Sequence, residues 1–524
     1  MPVGPADFGV QQFSVPAVLD RRAEQCPDRV MMSVGGTSGS TQVTFEQMRR
    51  RSCAAANLLL DIGIGCGDCV ALFTATCPEW IYFWLGAARI GAVTAAVNAA
   101  NKGEFLRHAL ALSRAKALLA DAERHPLVAE VADRCPMLGD ILVQGDWLDA
   151  ALNRADPVTA CPGDAGDIGS LFFTSGTTGA SKAVATTWHY LFTAAATVAS
   201  AWKFAAGEVL WSAMPLFHLS AAPIVLAPML VGGTTVLASG FHPVAVWDEV
   251  RACGAVGFAG AGAMVSMLEN LPPDPRDAQL PLRFISAAPI DAKSYRDIEQ
   301  RYGCSVVTMY GMTEAFPIVV KGVDDDGMPG TSGRPNPDFD VRILDANGDP
   351  VPAGTVGEIA CRPRYPHVMS EGYVGSDGCL EPHAEWFRTG DLGVLDDDQN
   401  LTYVDRKKDS LRRRGENISS VEVETAVMGH PAVAEAAAVA VPSALGEDDI
   451  LLIVTLCPQC SLDYVELLDF CSARMPYFCV PRYVEIVDEF PKTVIGRIRK
   501  DVLRARGLGP RAWDRESHGY VVSR

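Results

Sequence analysis

Apolar residues recur along this chain in two rhythms that exchange repeatedly. Residues 44–62 place Phe45, Met48, Cys53, Ala56 and Leu59 at helical spacing, which predicts an amphipathic helix. Residues 68–76 form an apolar run of strand length, and 80–90 read as a buried helix that ends at Gly91. The same alternation continues through 170–173, 183–199, 209–214, 233–237, 246–253 and 284–286. Strands separated by helices predict parallel sheets with crossover helices, an α/β fold. From 333 to 359 the rhythm changes to short strands with turns at Asn347-Gly, Pro352-Ala-Gly and Val356-Gly, which predicts a small antiparallel β-barrel. Past Asp405 the alternation restarts: 421–427 helix, 433–441 strand, 450–456 strand, 464–473 helix. We read a large N-terminal domain over 1–407 and a smaller α+β domain over 408–524, since 524 residues exceed one ordinary core.

Composition narrows the function. With 48% hydrophobic and 21% charged residues the chain has the balance of a soluble globular enzyme. Its net charge of -18 argues against general nucleic-acid binding, which relies on a positive field. No basic stretch followed by an apolar core opens the sequence, so a cytoplasmic protein is expected. The uncharged run 219–238 has the length of a membrane span, but it holds Pro223, Pro228 and Gly232-Gly233. We read it as a buried strand–turn–strand. Cys66-Gly-Asp-Cys69 and Cys457-Pro-Gln-Cys460 have metal or redox spacing. Each sits in a turn beside an apolar strand, so reduced, incidental thiols are expected.

The densest chemistry lies in Leu171-Phe-Phe-Thr-Ser-Gly-Thr-Thr-Gly-Ala-Ser-Lys182. Glycines admit close approach of backbone N–H groups to an anion, and hydroxyls with a lysine complete a phosphate cradle. It is not a Walker A loop, because no Gly-Lys-Ser/Thr follows four residues after the first glycine. Alone, such a stretch is equally an ordinary turn. Five further motifs follow in order: Met309-Tyr-Gly-Met-Thr-Glu-Ala315, Trp386-Phe-Arg-Thr-Gly-Asp-Leu-Gly393, Asp405-Arg-Lys-Lys-Asp409, Arg414-Gly-Glu-Asn-Ile-Ser419 and Pro491-Lys-Thr-Val-Ile-Gly-Arg-Ile-Arg-Lys500.

Together the six motifs, spread over most of the chain, resemble the adenylate-forming superfamily of acyl-CoA synthetases, peptide-synthetase adenylation domains and luciferases. The look is nearest to carnitine-type and fatty-acid CoA ligases. The resemblance implies an N-terminal domain of two α/β subdomains plus the barrel, and a mobile C-terminal domain hinged at Lys408. It also implies a reaction: a carboxylic acid attacks the α-phosphate of ATP, pyrophosphate leaves, and the acyl-AMP passes to an acceptor. Such a step is mainly positioning plus neutralisation of phosphate charge.

The implied site follows residue by residue. Thr174, Ser175, Gly176, Thr177, Thr178, Gly179 and Lys182 hold the β- and γ-phosphates. Thr313 hydrogen-bonds the α-phosphate, and Glu314 offers a magnesium ion the oxygen ligand a hard cation prefers. Asp391 accepts from the ribose hydroxyls, with Arg406 nearby. Tyr310, followed by Gly311, stacks on adenine against Ala287-Ala288-Pro289. His218 stands where acyl pocket and nucleotide meet. Amino-acid adenylation domains place an aspartate there, and no carrier-protein sequence follows residue 500, so a peptide-synthetase module is not expected. CoA ligases commonly carry a glycine lining the pantetheine tunnel where Arg414 stands here, and some carry arginine; Gly415 remains beside it, and Arg412-Arg-Arg414 is either a site for coenzyme A phosphates or a solvated charged face. The main departure is Arg497, which stands where the family has lysine; arginine keeps the charge but is planar and forked. In an extended segment Arg497 and Arg499 share one face while Lys492, Ile498 and Lys500 take the other. Three readings stay open: transfer to coenzyme A, transfer to an amine, and a catalytically impaired binding homologue. A homodimer is an open alternative to a monomer. Phe258-Ala-Gly-Ala-Gly-Ala-Met264 suggests a roomy apolar pocket and does not identify the acid.

Overall fold

The computed structural model describes residues 3–36, 39–153, 166–174, 181–406, 410–414, 416–443, 446–491 and 498–522. Thr44 caps the first long helix, Phe45–Asp61, by accepting from the Gln47 amide while the Gln47 side chain returns to the Thr44 N–H. Its buried face carries Phe45, Met48, Cys53, Ala56 and Leu59, as the spacing predicts. The helix Pro78–Arg89 is buried on nearly every face and ends before Gly91, whose φ of 69° turns the chain.

Over the described residues two large sheets form the N-terminal region. One runs in the order Arg334–Pro335, Ala315–Lys321, Ser305–Met312, Phe284–Ala288, Gly257–Ala261, Val209–Ser212, Thr234–Leu237, Val30–Gly36, Gly39–Thr44. Its inner pairs are parallel, and the pairs at either edge are antiparallel. The other is Leu380–Pro382, Gly372–Val374, Lys182–Thr187, Ile168–Thr174, Val93–Ala96, Cys69–Phe73, Ala117–Ala120, Asp140–Val143. Helices Pro78–Arg89, Trp188–Trp202 and Ala221–Val231 contribute to one large apolar core between them. The barrel-like element is an antiparallel sheet of Phe339–Leu344, Gly357–Pro363, Phe387–Leu395 and Leu401–Arg406. The C-terminal part adds the hairpin Ser410–Arg413/Glu416–Ser419 and a mixed sheet built on Val433–Pro442 and Asp448–Leu456, covered by Ser420–Met428 and Tyr464–Ser472.

One segment departs from expectation. Residues 219–238 hold a helix, Ala221–Val231, followed by one strand, Thr234–Leu237, not two strands. The helix is buried on all sides, so its sequence carries no amphipathic rhythm, and such runs are ambiguous by periodicity alone. Gly232, at φ 76°, closes it. Among the described residues no helix is long and apolar enough to cross a membrane.

Candidate active site

The carboxyl ends of the parallel strands converge on one cleft of about 1300 Å³, where open α/β sheets place ligands. Ala287 and Ala288 reach it at the end of Phe284–Ala288, with Pro289 just beyond. Tyr310 and Gly311 reach it from Ser305–Met312, and Thr174 from Ile168–Thr174. Two glycines make this convergence possible. A Cβ on Gly262 would stand 2.2 Å from the Pro289 carbonyl, and one on Gly311 2.7 Å from the Ala315 carbonyl. A side chain at either position would push apart the wall that holds Pro289 or the turn that presents Thr313 and Glu314.

The polar residues of the cleft form two bonded groups. Tyr310 Oη donates to Asp391 Oδ2 at 2.9 Å, and both side chains are buried. Burial, then the Asp391 charge, drives the Tyr310 phenol well above its ordinary value, so it stays a donor. Asp391 is fixed in turn: its N–H donates to Thr389 Oγ1 at 3.2 Å, and its backbone lies opposite Arg406 across the antiparallel pair. In the second group Tyr373 Oη donates to Glu314 Oε1 at 2.8 Å, while Lys182 Nζ lies 4.3 Å from the Tyr373 ring centroid. Pairing of Gly372–Val374 with Lys182–Thr187 brings these residues together, setting Tyr373 opposite Val184. Ser370 N donates to the Glu314 carbonyl at 2.8 Å, and Tyr190 Oη to the Thr313 carbonyl at 3.3 Å, so the Thr313–Glu314 turn is held from two sides. His383 stands edge-on to Tyr373 at 5.1 Å with Nε2 2.7 Å from Ser370 Oγ. Burial, reinforced by Lys182, lowers its imidazole to about 4.

The C-terminal part closes on the same cleft. Glu416 Oε2 is 3.1 Å from His218 Nε2 and accepts from Asn98 Nδ2 at 3.4 Å. Glu422 Oε1 accepts from the Ser181 N–H at 2.9 Å, and the Ser181 carbonyl is 2.7 Å from His108 Nε2. Burial raises the Glu422 carboxyl above its usual range. The three consecutive arginines separate, so they do not form one solvated charged face. Arg413 is 2% exposed, its Nε 2.8 Å from Asp449 Oδ1 and its Nη1 donating to the Val480 carbonyl at 2.8 Å. Arg412 lines the cleft, and Arg414, at φ 54°, turns toward Glu516. Lys500 is engaged inside its own domain: Nζ lies 2.6 Å from Glu424 Oε1 and donates to Ser420 Oγ at 2.9 Å.

Of the residues singled out from sequence, the cleft brings together Thr174, Lys182, His218, Ala287, Ala288, Pro289, Tyr310, Gly311, Thr313, Glu314 and Asp391. Ser175, Gly176, Thr177, Thr178, Gly179, Lys408, Gly415, Arg497 and the Arg406 side chain lie outside the described residues. Sequence reasoning missed Tyr373, His383 and Ser370, which fall between motifs and reach the site only through strand pairing. It quoted Glu416 within a motif without giving it a role; an acid beside glycine in a hairpin was the one available signal.

Residues 19–374 match the family model of AMP-binding enzymes, and residues 422–497 match that of the AMP-binding enzyme C-terminal domain. The crotonobetaine/carnitine–CoA ligase of Salmonella agona is 31% identical over 88% of this chain and 93% of its own length. Among solved structures, the amide bond synthetase McbA of Marinactinospora thermotolerans is 25% identical with a TM-score of 0.79, covering 93% of this chain and 99% of that one. The o-succinylbenzoate CoA synthetase of Bacillus subtilis, bound with a product analogue, has the same fold: 22% identity, TM-score 0.79, 93% and 98% covered. The chain belongs to the AMP-binding enzyme family, and its fold is that of the adenylate-forming ligases.

Proposed function

We propose that this chain activates a carboxylic acid as acyl-AMP, releasing pyrophosphate from ATP, and transfers the acyl group to coenzyme A. The observation that carries the reading is the shared cleft of the Tyr310–Asp391 pair and the Lys182–Tyr373–Glu314 array. A carboxylate buried against a phenol donor is suited to accept from a ribose hydroxyl, and Thr174 and Lys182, paired across adjacent strands, offer a hydroxyl and an ammonium suited to phosphate. Tyr373 orients the Glu314 carboxylate in the same array as Lys182, an oxygen donor fit for magnesium, whose bound charge would neutralise phosphate. Arg497 takes the place of the reaching lysine and bridges acyl carboxylate and nucleotide. The boundary falls at 407/408, with Lys408 as the hinge of a mobile C-terminal domain and Gly415 on the acceptor path.

His218, which lines the cleft, and Glu416 meet across the two parts of the chain. That contact supports an acceptor step: a carboxylate-held imidazole is placed to take the acceptor's proton. The 31% identity to a CoA ligase favours the thiol acceptor. An amine acceptor is the second reading, favoured by the likeness to an amide bond synthetase. We place the protein in the cytoplasm and keep a homodimer as an assembly to be tested. Incubation with ATP, magnesium, a carboxylic acid panel and either coenzyme A or simple amines, read by mass spectrometry, separates the readings. Acyl-CoA with AMP is the expected product; an amide without acyl-CoA would replace the first reading by the second.

A further inference from the structure

The cleft divides by charge. Its charged lining residues, among them Lys182, Glu314, Asp391 and Arg412, belong to the nucleotide motifs, the barrel-like sheet and the C-terminal part. The remaining wall is drawn from Trp188–Trp202, Ala221–Val231 and the strand ends, and presents Val198, Trp202, Met214, Leu219, Ile224 and Phe316. Among the described residues this wall carries no carboxylate, ammonium or guanidinium. Its one titratable side chain is His218, and the Glu416 carboxylate beside it is engaged by His218 and Asn98. Nor do the described residues of this wall form an aromatic cage. Trp202 has one face stacked on Phe284, at 5.3 Å and 19°, which leaves Phe316 as the other ring of that wall.

We propose that the acid activated here carries an uncharged, apolar acyl group, and that the wall around Trp202 excludes acids bearing a second charge of either sign. The proposal rests on the acyl-adenylate reading above and adds its substrate class. A cation moved from water into such a wall loses its hydration and gains neither a carboxylate nor several π-faces. A second carboxylate would need an arginine or lysine that the wall does not offer. The relatives named for crotonobetaine and carnitine handle acids with a trimethylammonium group, so this chain departs from them in substrate while sharing their chemistry. Met214 and its flexible thioether, half-buried at the wall, suit it to apolar groups of varied shape.

The test uses acids matched in shape and differing in charge. One pair is (trimethylammonio)butyrate and its carbon isostere, in which a quaternary carbon replaces the nitrogen; the other is a straight-chain monocarboxylate and the dicarboxylate of equal length. The full chain is assayed by acid-dependent ATP–pyrophosphate exchange. The neutral member of each pair is expected to exceed the charged one in kcat/KM by about 100-fold or more. Met214→Glu places a carboxylate on the wall and should narrow the gap for the cationic pair by about 10-fold, with the thermal unfolding transition of the purified variant reporting an intact fold. Equal or better exchange with the charged members overturns the substrate class while leaving acyl-AMP formation standing. An unchanged ratio in a folded Met214→Glu protein overturns the missing counter-charge as its cause. No exchange with any acid removes the adenylate reading, and this proposal with it.

Discussion

The two halves of the cleft are built by opposite rules. At the half lined by the motif residues the polar groups have designated partners: Tyr310 with Asp391, Tyr373 with Glu314, Lys182 over the Tyr373 ring. At the other half, around Trp202, the wall among the described residues is side-chain volume without charge. A ligand of fixed shape and charge demands particular atoms at particular places, so few residue types satisfy it. An apolar group demands only space of about the right size, which many combinations provide. The difference predicts where single substitutions are costly and where they merely retune selectivity.

The largest expected effect is at Asp391. Asp391→Ala removes a charged acceptor and should cut acyl-AMP formation by about 1000-fold, since each such bond is worth roughly 1.5–3 kcal/mol. Hydroxylamine trapping of acyl-AMP measures it, and near-normal trapping would remove Asp391 from the nucleotide site. Arg497→Ala should slow the same half-reaction by about 300-fold, because one preorganised charge contributes roughly 3–4 kcal/mol at a transition state. The matched control is Lys500→Ala, whose ammonium is held by Glu424 and Ser420 within the C-terminal part. It should lower the melting temperature by a few degrees, about 1 kcal/mol, and leave adenylation near normal. Reversed outcomes for the two variants would show that Lys500 is the residue that enters the cleft.

Glu416→Gln sharpens the comparison at the junction of the halves. Adenylation should persist, while transfer from supplied acyl-AMP slows by about 10-fold, the scale of a weakened general base. Equal loss in both steps would make Glu416 a structural residue. The last prediction concerns stability against pH and leaves activity aside. His383 is neutral when folded, its imidazole lowered to about 4 by burial and by Lys182. Unfolded, it titrates near the ordinary value of 6.5, so below that pH the unfolded chain binds the extra proton. Stability should therefore fall as pH drops from about 6.5 toward 4, and His383→Gln should flatten that slope. A slope identical in the variant would show that His383 is not responsible.

Much of this was legible in the chain. The spacing of Phe45, Met48 and Leu59 announces the first long helix, and motif residues Tyr310, Thr313, Glu314 and Asp391 meet in one cleft. What was hidden had physical reasons. Ala221–Val231 is buried all round and shows no periodicity. Tyr373 acquires its place from pairing with Lys182–Thr187, a contact between segments far apart in sequence. Arg413 reads like its neighbours Arg412 and Arg414, yet the hairpin turns it inward onto Asp449. Charge shows in a sequence; the direction a strand points it does not.

The central claim is that this cleft forms acyl-AMP before any acceptor takes part. Acid-dependent ATP–pyrophosphate exchange by the unmodified chain, run without coenzyme A or amine, tests it most directly. The account predicts exchange that requires magnesium and an apolar monocarboxylic acid and proceeds with no acceptor present. Exchange absent for every acid, or appearing only once coenzyme A is added, would contradict it.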